Sequence, residues 1–136
     1  MMTPDELRAG MAHMTGTEGY TRYSPMFRQL LLTDGVKFMA ENAEAYWLID
    51  AIGSHIFTNR KLSPRAEPMQ FWAFRQNAGK RGHRLWVTDG GKDDNEPKTL
   101  AEQWIEYTDF PLDEINLYAA WDGGLNAFVL MLPSEY

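Results

Sequence analysis

The longest apolar-patterned stretch of the chain runs over residues 33–56 and has the sequence TDGVKFMAENAEAYWLIDAIGSHI. Within it, five apolar residues fall at the spacing of one helical face: Ala45, Leu48, Ile49, Ile52 and Ile56. Thr33 or Asp34 is suited to cap such a helix, because either side-chain oxygen accepts a free N–H of the first turn. The spacing therefore predicts a central helix, around which the rest of the chain is expected to fold.

A β-hairpin is the competing interpretation of the start of this stretch. Asp34 and Gly35 stand between three leucines and Val36, and an Asp-Gly pair in that setting is typical of a type I′ turn. The pattern favours the helix, but it leaves open whether residues 33–36 start a helix or form a hairpin turn.

Composition limits the kind of protein to which this helix belongs. The chain has 136 residues, of which 44% are hydrophobic, which is enough for a single domain over residues 1–136. It contains no cysteine, which excludes disulfides, thiolate zinc sites and a cysteine nucleophile. No apolar run approaches the ~18 residues of a membrane span, and the first residues lack the pattern of a secretory signal. We therefore expect a cytoplasmic protein with no membrane contact.

Two further helices are predicted, so that residues 1–57 are expected to be mainly helical. Thr3, Pro4 and Glu6 form a capping-box start, in which threonine caps, proline needs no N–H and glutamate reaches back to the cap. Ser24 and Pro25 are expected to open a second short helix. The apolar face of that helix would hold Phe27, Leu30 and Leu31.

The apolar period changes from helical to strand-like after residue 68. Residues 69–75 and 84–88 alternate in the manner of a hairpin, and residues 115–121 alternate as another strand. Residues 127–132 are apolar on both faces, which predicts a central strand. Residues 98–108 fit either a strand, placed over 104–108, or a helix. The order predicts an α+β fold, with the N-terminal helices packed on one face of a four- to five-stranded antiparallel meander sheet over residues 69–133.

Five short motifs stand out along the chain. In order they are GTE at 16–18 with Tyr23 and Phe27, TDGVKF at 33–38, AYWLID at 45–50, TDFPL at 108–112 and LPSEY at 132–136. Together they resemble a family of small bacterial, phage and plasmid proteins that share a domain of unknown function. The resemblance covers nearly the whole chain, while residues 66–102 look individual. It implies a phage or mobile-element setting, and it brings no catalytic role with it.

The sequence offers no constellation typical of catalysis or metal binding. The histidines at positions 13, 55 and 83 are far apart, and none shows a ligand spacing such as His-x₃-His. The carboxylates near residue 94 lack the glycine and the spacing of a calcium loop. We therefore predict no catalytic residue, no metal and no cofactor.

Charge is divided unevenly along the chain, whose net charge is −6. Residues 89–136 hold eleven acidic residues and only two basic ones. Such a region is suited to a partner of opposite charge, such as the basic nucleic-acid channel of a host enzyme. We therefore expect a non-enzymatic binding protein in a counter-defence (anti-CRISPR-like) role that occludes a host macromolecule. The acidic residues expected to contact a protein partner are Asp93, Asp94, Glu96, Glu102 and Glu106.

The alternative is a domain that binds a nucleotide or small ligand, with weak hydrolase activity as an extension. Basic residues interleaved with aromatic ones are typical of contacts with single-stranded nucleic acid, and Trp72, Phe74 and Trp86 lie among such residues. The residues assigned to this alternative are Tyr20, Arg22, Tyr23, Trp47 and Asp50 for a pocket, and Arg75, Arg81 and Arg84 for a basic hairpin. A self-assembling homo-oligomer is the third option that the sequence leaves open.

Overall fold

The computed structural model describes residues 2–14, 19–77, 82–92 and 94–136. Three α-helices are present in these ranges: α1 (Pro4–Ala12), α2 (Asp34–Asn42) and α3 (Tyr46–Thr58). Short 3₁₀ turns lie at Arg60–Leu62 and Pro133–Glu135. The strands are β1 (Tyr20–Ser24), β2 (Phe27–Thr33), β3 (Met69–Gln76), β4 (His83–Thr88), β5 (Thr99–Ile105), β6 (Glu114–Asp122) and β7 (Ala127–Met131). The predicted α+β class is confirmed.

The strands form one mixed sheet in the order β1-β2-β7-β6-β3-β4-β5. Strands β2 and β7 pair in parallel, and the other neighbours are antiparallel. The prediction of four to five antiparallel strands in a meander is therefore wrong in two respects. The N-terminal part of the chain contributes two strands, β1 and β2. In addition, β6 pairs with β3, whereas in a meander it would pair with β5. Alternation along one strand cannot show this, because it fixes which face is buried but not which strand lies beside it.

The predicted central helix is present as two helices that meet at a sharp bend. Ala43 closes α2 with its N–H bonded to the Met39 carbonyl, and Glu44 has a left-handed φ of 51°. A non-glycine residue in that region interrupts a helix, so α3 starts afresh at Tyr46. The hairpin alternative is wrong at Asp34, since Thr33 caps α2 through a 3.3 Å bond from the Val36 N–H.

The helix predicted at Ser24 and Pro25 is also wrong. These residues form the turn of the β1–β2 hairpin, in which Ser24 pairs with Phe27 and accepts the Met26 N–H at 3.1 Å. Helical and strand spacing are hard to distinguish over so few residues. The strand is favoured because Leu30 and Leu32 bury on one face while β2 pairs with the apolar strand β7.

Packing between α3 and the sheet forms the centre of the core. Leu48, Ile49 and Ile52 are buried, as their spacing predicts, and α3 lies over the sheet side chains Trp72 and Phe74. The α1 start is confirmed as a capping box, and α1 packs against α2. The central placement of the 127–132 segment is confirmed, since β7 lies between β2 and β6. None of the helices in the described ranges has the length and hydrophobicity needed to cross a membrane.

Candidate functional site

The register of the sheet separates a face covered by α3 from an opposite face whose side chains are largely accessible. On β3, Trp72 and Phe74 point to α3, so the alternate residues point the other way. Directly paired residues share a face, which extends this second surface over the neighbouring strands. We call it the open face, and it holds Phe71, Ala73, Arg75, Arg84, Trp86, Thr88, Glu102, Trp104, Glu114, Asn116 and Tyr118.

Trp86 is the centre of a cationic and aromatic cluster on the open face. The guanidinium of Arg84 lies 4.3 Å from the centroid of the Trp86 ring, and that of Arg75 lies 5.7 Å away. Arg84 also binds Glu102 with an Nη2–Oε2 distance of 2.7 Å, and Arg75 binds Glu114 with an Nε–Oε2 distance of 3.2 Å. Each arginine therefore contacts a carboxylate, and the cluster as a whole is close to neutral.

Ala73 forms a depression in this face because its neighbours are larger. It pairs with Trp86 on β4 and with Asn116 on β6. In the next row, Phe71 packs edge-to-face on Tyr118 with 5.0 Å between ring centroids. The resulting cleft has a volume of about 380 Å³, and its walls include Arg75, Trp86, Asn116 and Tyr118. We call it the Ala73 cleft.

The sheet ends at β5, whose outer edge has no neighbouring strand in the described parts of the chain. Trp104 on this strand is 56% exposed, and Tyr107 just beyond it is 87% exposed. On the side of β5 that faces α3, Gln103 Oε1 lies 2.9 Å from His55 Nε2 of that helix. Two large aromatic side chains and a row of free backbone groups thus lie together at one edge.

The predicted acidic residues follow this same edge. Asp94 and Glu96 precede β5 and are exposed, Glu102 lies within it, and Glu106 follows it. Glu102 is held by Arg84, so it is the acidic residue with a described ion pair. Asp93 lies outside the described residues. The structure therefore brings four of the five acidic positions to the strand that ends the sheet.

The predicted basic hairpin is divided between the two faces of the sheet. Arg75 and Arg84 meet directly across β3 and β4, and both lie against Trp86. Trp72 and Phe74, which the sequence pattern placed with them, are buried on the α3 side. Arg81 lies outside the described residues.

Tyr23 and Asp50 form a polar contact at the start of α3. The Tyr23 hydroxyl donates to Asp50 Oδ1 at 2.5 Å, and its oxygen lies 3.2 Å from the Tyr46 carbonyl oxygen. The Tyr23 ring stacks between Tyr46 and Phe27, at centroid distances of 5.8 and 6.3 Å. Burial of the ring, and then the hydrogen bond to Asp50, raise the pKa of Tyr23 far above its usual range. The Tyr23 hydroxyl therefore stays protonated, and its hydrogen bond to Asp50 connects β1 to α3.

The remaining pocket residues of the ligand alternative lie apart. Trp47 packs edge-on against Phe74 and Phe110 and borders a separate recess of about 340 Å³ beside Tyr107. Tyr20 and Arg22 are exposed on β1, at the opposite end of the sheet from β5. The structure therefore does not bring this set together as one pocket.

Contacts within the core account for much of the motif pattern. The buried Glu135 carboxylate accepts from Thr33 Oγ1 at 2.6 Å, from the Gly35 N–H at 3.1 Å and from the Leu132 N–H at 3.0 Å, so LPSEY caps the helix that TDGVKF begins. AYWLID meets TDFPL where Trp47 packs on Phe110. The GTE motif at 16–18 lies outside the described residues. Four of the five motifs thus join elements that are distant in sequence.

Several open-face residues were not assigned to a site from the sequence, among them Phe71, Asn116 and Tyr118. Their positions in alternating segments are a signal that they lie opposite the core. Which strand adjoins β3 is not readable from alternation, so their proximity to Trp86 is evident only from the register. In the described parts of the chain, no three His, Asp or Glu side chains are placed to hold a metal ion.

Comparison with known proteins identifies a family and a related fold. The model of a family of unknown function, DUF6876, matches residues 5–136. No curated protein matches the chain. A crystal structure of a protein of unknown function from Enterococcus faecalis is similar at 17% sequence identity, with a TM-score of 0.52 over 87% of this chain and 98% of that one. At this identity the likeness shows a shared fold and nothing further.

Proposed function

The chain belongs to the family DUF6876, whose function is unknown, and we propose from its geometry that it is a non-enzymatic binding protein that holds a protein partner along the edge of β5. The proposal retains the acidic surface predicted from the sequence and gives it a structural basis. The partner would add an extended segment to the sheet, so that its backbone pairs with β5.

The observation that carries the proposal is a regular stretch of the edge strand β5. Its seven residues, TLAEQWI, contain neither lysine nor proline, and beyond a register shift between Thr99 and Ala101 its pairing with β4 is regular over residues 101–105. The opposite edge strand β1 has five residues, a register shift between Arg22 and Ser24, and Pro25 at its end. Natural sheets protect their edges by such devices, since free edges recruit other chains. β5 has a register shift at its start, but it is longer than β1 and is regularly paired over residues 101–105, so this part of the edge is suited to accept a strand.

The side chains around β5 define the chemistry of the segment it would accept. Trp104 and Tyr107 are exposed aromatic residues at this edge, and such residues supply much of the binding energy at protein interfaces. Residues 94–106 carry four carboxylates and one amine, that of Lys98. A partner segment with basic residues would place its cations beside Glu96 and Glu106, since Glu102 is already paired with Arg84.

The charges on the open face favour a protein over nucleic acid as the principal partner. Binding to a phosphate backbone depends on cations that displace counterions. Arg75 and Arg84 already contact Glu114 and Glu102, and the net charge of the chain is −6. A role as a mobile-element counter-defence factor, which occludes the basic channel of a host enzyme, is the biological setting that we propose for this interaction.

Capture of partners from lysate of host cells tests the proposal when three tagged proteins are compared. Wild type is expected to retain a protein that the double variant Trp104→Ala, Tyr107→Ala loses. Tyr20→Ala is the matched control, because it removes an exposed aromatic residue from the protected edge β1 and should retain the partner. Equal capture by all three proteins, or capture of nucleic acid alone, would refute the proposal.

A further inference from the structure

We propose that the Ala73 cleft binds a nucleobase, with adenine as the preferred ring. This site goes beyond the proposed protein partner, since it lies over β3 and not at the β5 edge. The inference rests on the size of the cleft, the nature of its walls and the hydrogen-bonding capacity of Asn116.

The dimensions of the cleft suit one flat ring. Strands β4 and β6 flank β3, so their side chains stand about 10 Å apart at the backbone. A ring stacked on Trp86 needs about 3.5 Å above the indole plane, and its edge stays free for hydrogen bonds. Ala73 leaves this space on the Asn116 side of Trp86, whereas a larger residue would occupy it.

The walls are aromatic where a base would stack. Trp86 lies on one side, and the edge-to-face pair of Phe71 and Tyr118 closes the next row. The guanidinium of Arg84 lies 4.3 Å from the centroid of the Trp86 indole, and Trp86 also lines the cleft. Stacking on aromatic side chains is the usual way in which proteins hold an unpaired base.

Asn116 supplies the polar group that selects the base. Its side chain is exposed, borders the cleft and makes no hydrogen bond with any described residue. A carboxamide offers one donor and one acceptor side by side, which matches the N7 acceptor and the N6 amino donor of adenine. Since Arg75 and Arg84 are paired with carboxylates, the site is suited to the base and gains little from a phosphate.

The test is titration of the purified protein with adenosine, guanosine, cytidine, uridine and ribose. Binding is detected from the NMR signal of the Trp86 indole N–H. Adenosine is expected to shift this signal and to bind most tightly, and ribose should have no effect. Ala73→Leu should weaken adenosine binding roughly tenfold or more, because it fills the place of the stacked ring. Asn116→Ala should reduce the preference for adenosine over the other nucleosides while stacking persists.

Ala120→Leu is the matched control, because Ala120 is a partly buried alanine beside Met69 on the same sheet and does not border the cleft. It should bind adenosine as wild type does, and thermal unfolding of each variant shows whether the fold is retained. Binding by no nucleoside would overturn the proposal. So would binding that Ala73→Leu leaves unchanged, or equal affinity for all four bases in the wild type.

Discussion

At the scale of one residue, Glu135 shows how a motif without catalytic chemistry can require a particular residue for its structural role. Its carboxylate is buried and accepts three bonds, two of them from the start of α2. Negative charge at a helix N-terminus is favoured by the helix dipole, and the buried donors that it satisfies would otherwise be orphaned. The same position would look like a candidate acid if only its type and burial were considered.

We therefore expect Glu135→Ala to lower the free energy of unfolding by about 2–4 kcal/mol, since several buried hydrogen bonds to a charged group are lost together. Urea unfolding followed by circular dichroism measures the change. Glu114→Ala is the control, because this exposed carboxylate pairs with Arg75 at the surface and should cost less than about 1 kcal/mol. Equal effects of the two substitutions would contradict the assigned role of Glu135.

His83 leads to a prediction about pH. It is buried and stacks on Phe74 at 4.6 Å, and burial lowers its pKa against weaker opposing effects of the Leu112 carbonyl and Asp113. The unfolded chain then binds a proton more readily than the folded one. The stability that comes from burying the neutral His83 ring is therefore fully present above the unfolded pKa of about 6.5. It is lost as the pH falls below that value towards the folded pKa.

The free energy of unfolding is to be measured from about pH 8 to about pH 5, a range that spans the usual histidine pKa. As the pH falls, it should decline less steeply for His83→Phe than for wild type. His13→Phe is the control at an exposed position and should keep the wild-type slope. Identical slopes for wild type and His83→Phe would show that His83 is not the titrating group.

At the scale of elements, the sequence predicted those parts of the fold that depend on local pattern. The capping box of α1, the buried stripe of α3 and the alternation in β3, β4 and β6 were all readable. The break at Glu44 could not be predicted, because the left-handed φ of this residue does not change the spacing of the apolar residues around it. The β1–β2 hairpin was missed because its spacing also fits a helix over two turns.

The central position of α3 predicts a large cost for truncating its buried face. Leu48 is fully buried and borders the same narrow gap in the core as Trp72, Phe74 and Leu117. Leu48→Ala should lower the free energy of unfolding by about 2–5 kcal/mol, through lost burial and the cavity that remains. Ala51→Ser, at a partly buried position on the same helix, is a milder comparison. A loss below about 0.5 kcal/mol for Leu48→Ala in urea unfolding would place the core elsewhere.

At the scale of the whole molecule, the candidate site depends on strand order more than on any motif. The sequence indicated that Arg75, Arg84 and the acidic residues from position 93 onwards form accessible surfaces. It could not indicate that β6 adjoins β3, which brings Asn116 and Tyr118 to Trp86. Nor could it show that the acidic residues follow a free edge, because an edge is a property of the assembled sheet.

The division of charge acquires a spatial meaning in this sheet. The acidic residues near β5 stand at one end, while Arg22 lies on β1 at the other. A basic partner would be steered to the β5 end, and such steering weakens as salt shortens the range of charge interactions from about 10 Å at 0.1 M to about 3 Å at 1 M.

Amide hydrogen exchange of the chain, alone and in complex with its captured protein partner, tests the central claim most directly. The account predicts that the outward-facing amides of β5, over Thr99–Ile105, exchange quickly in the free chain and slowly in the complex, while those of β1 are unchanged. Protection confined to β1 or to the helices, with β5 exchanging as in the free chain, would contradict it.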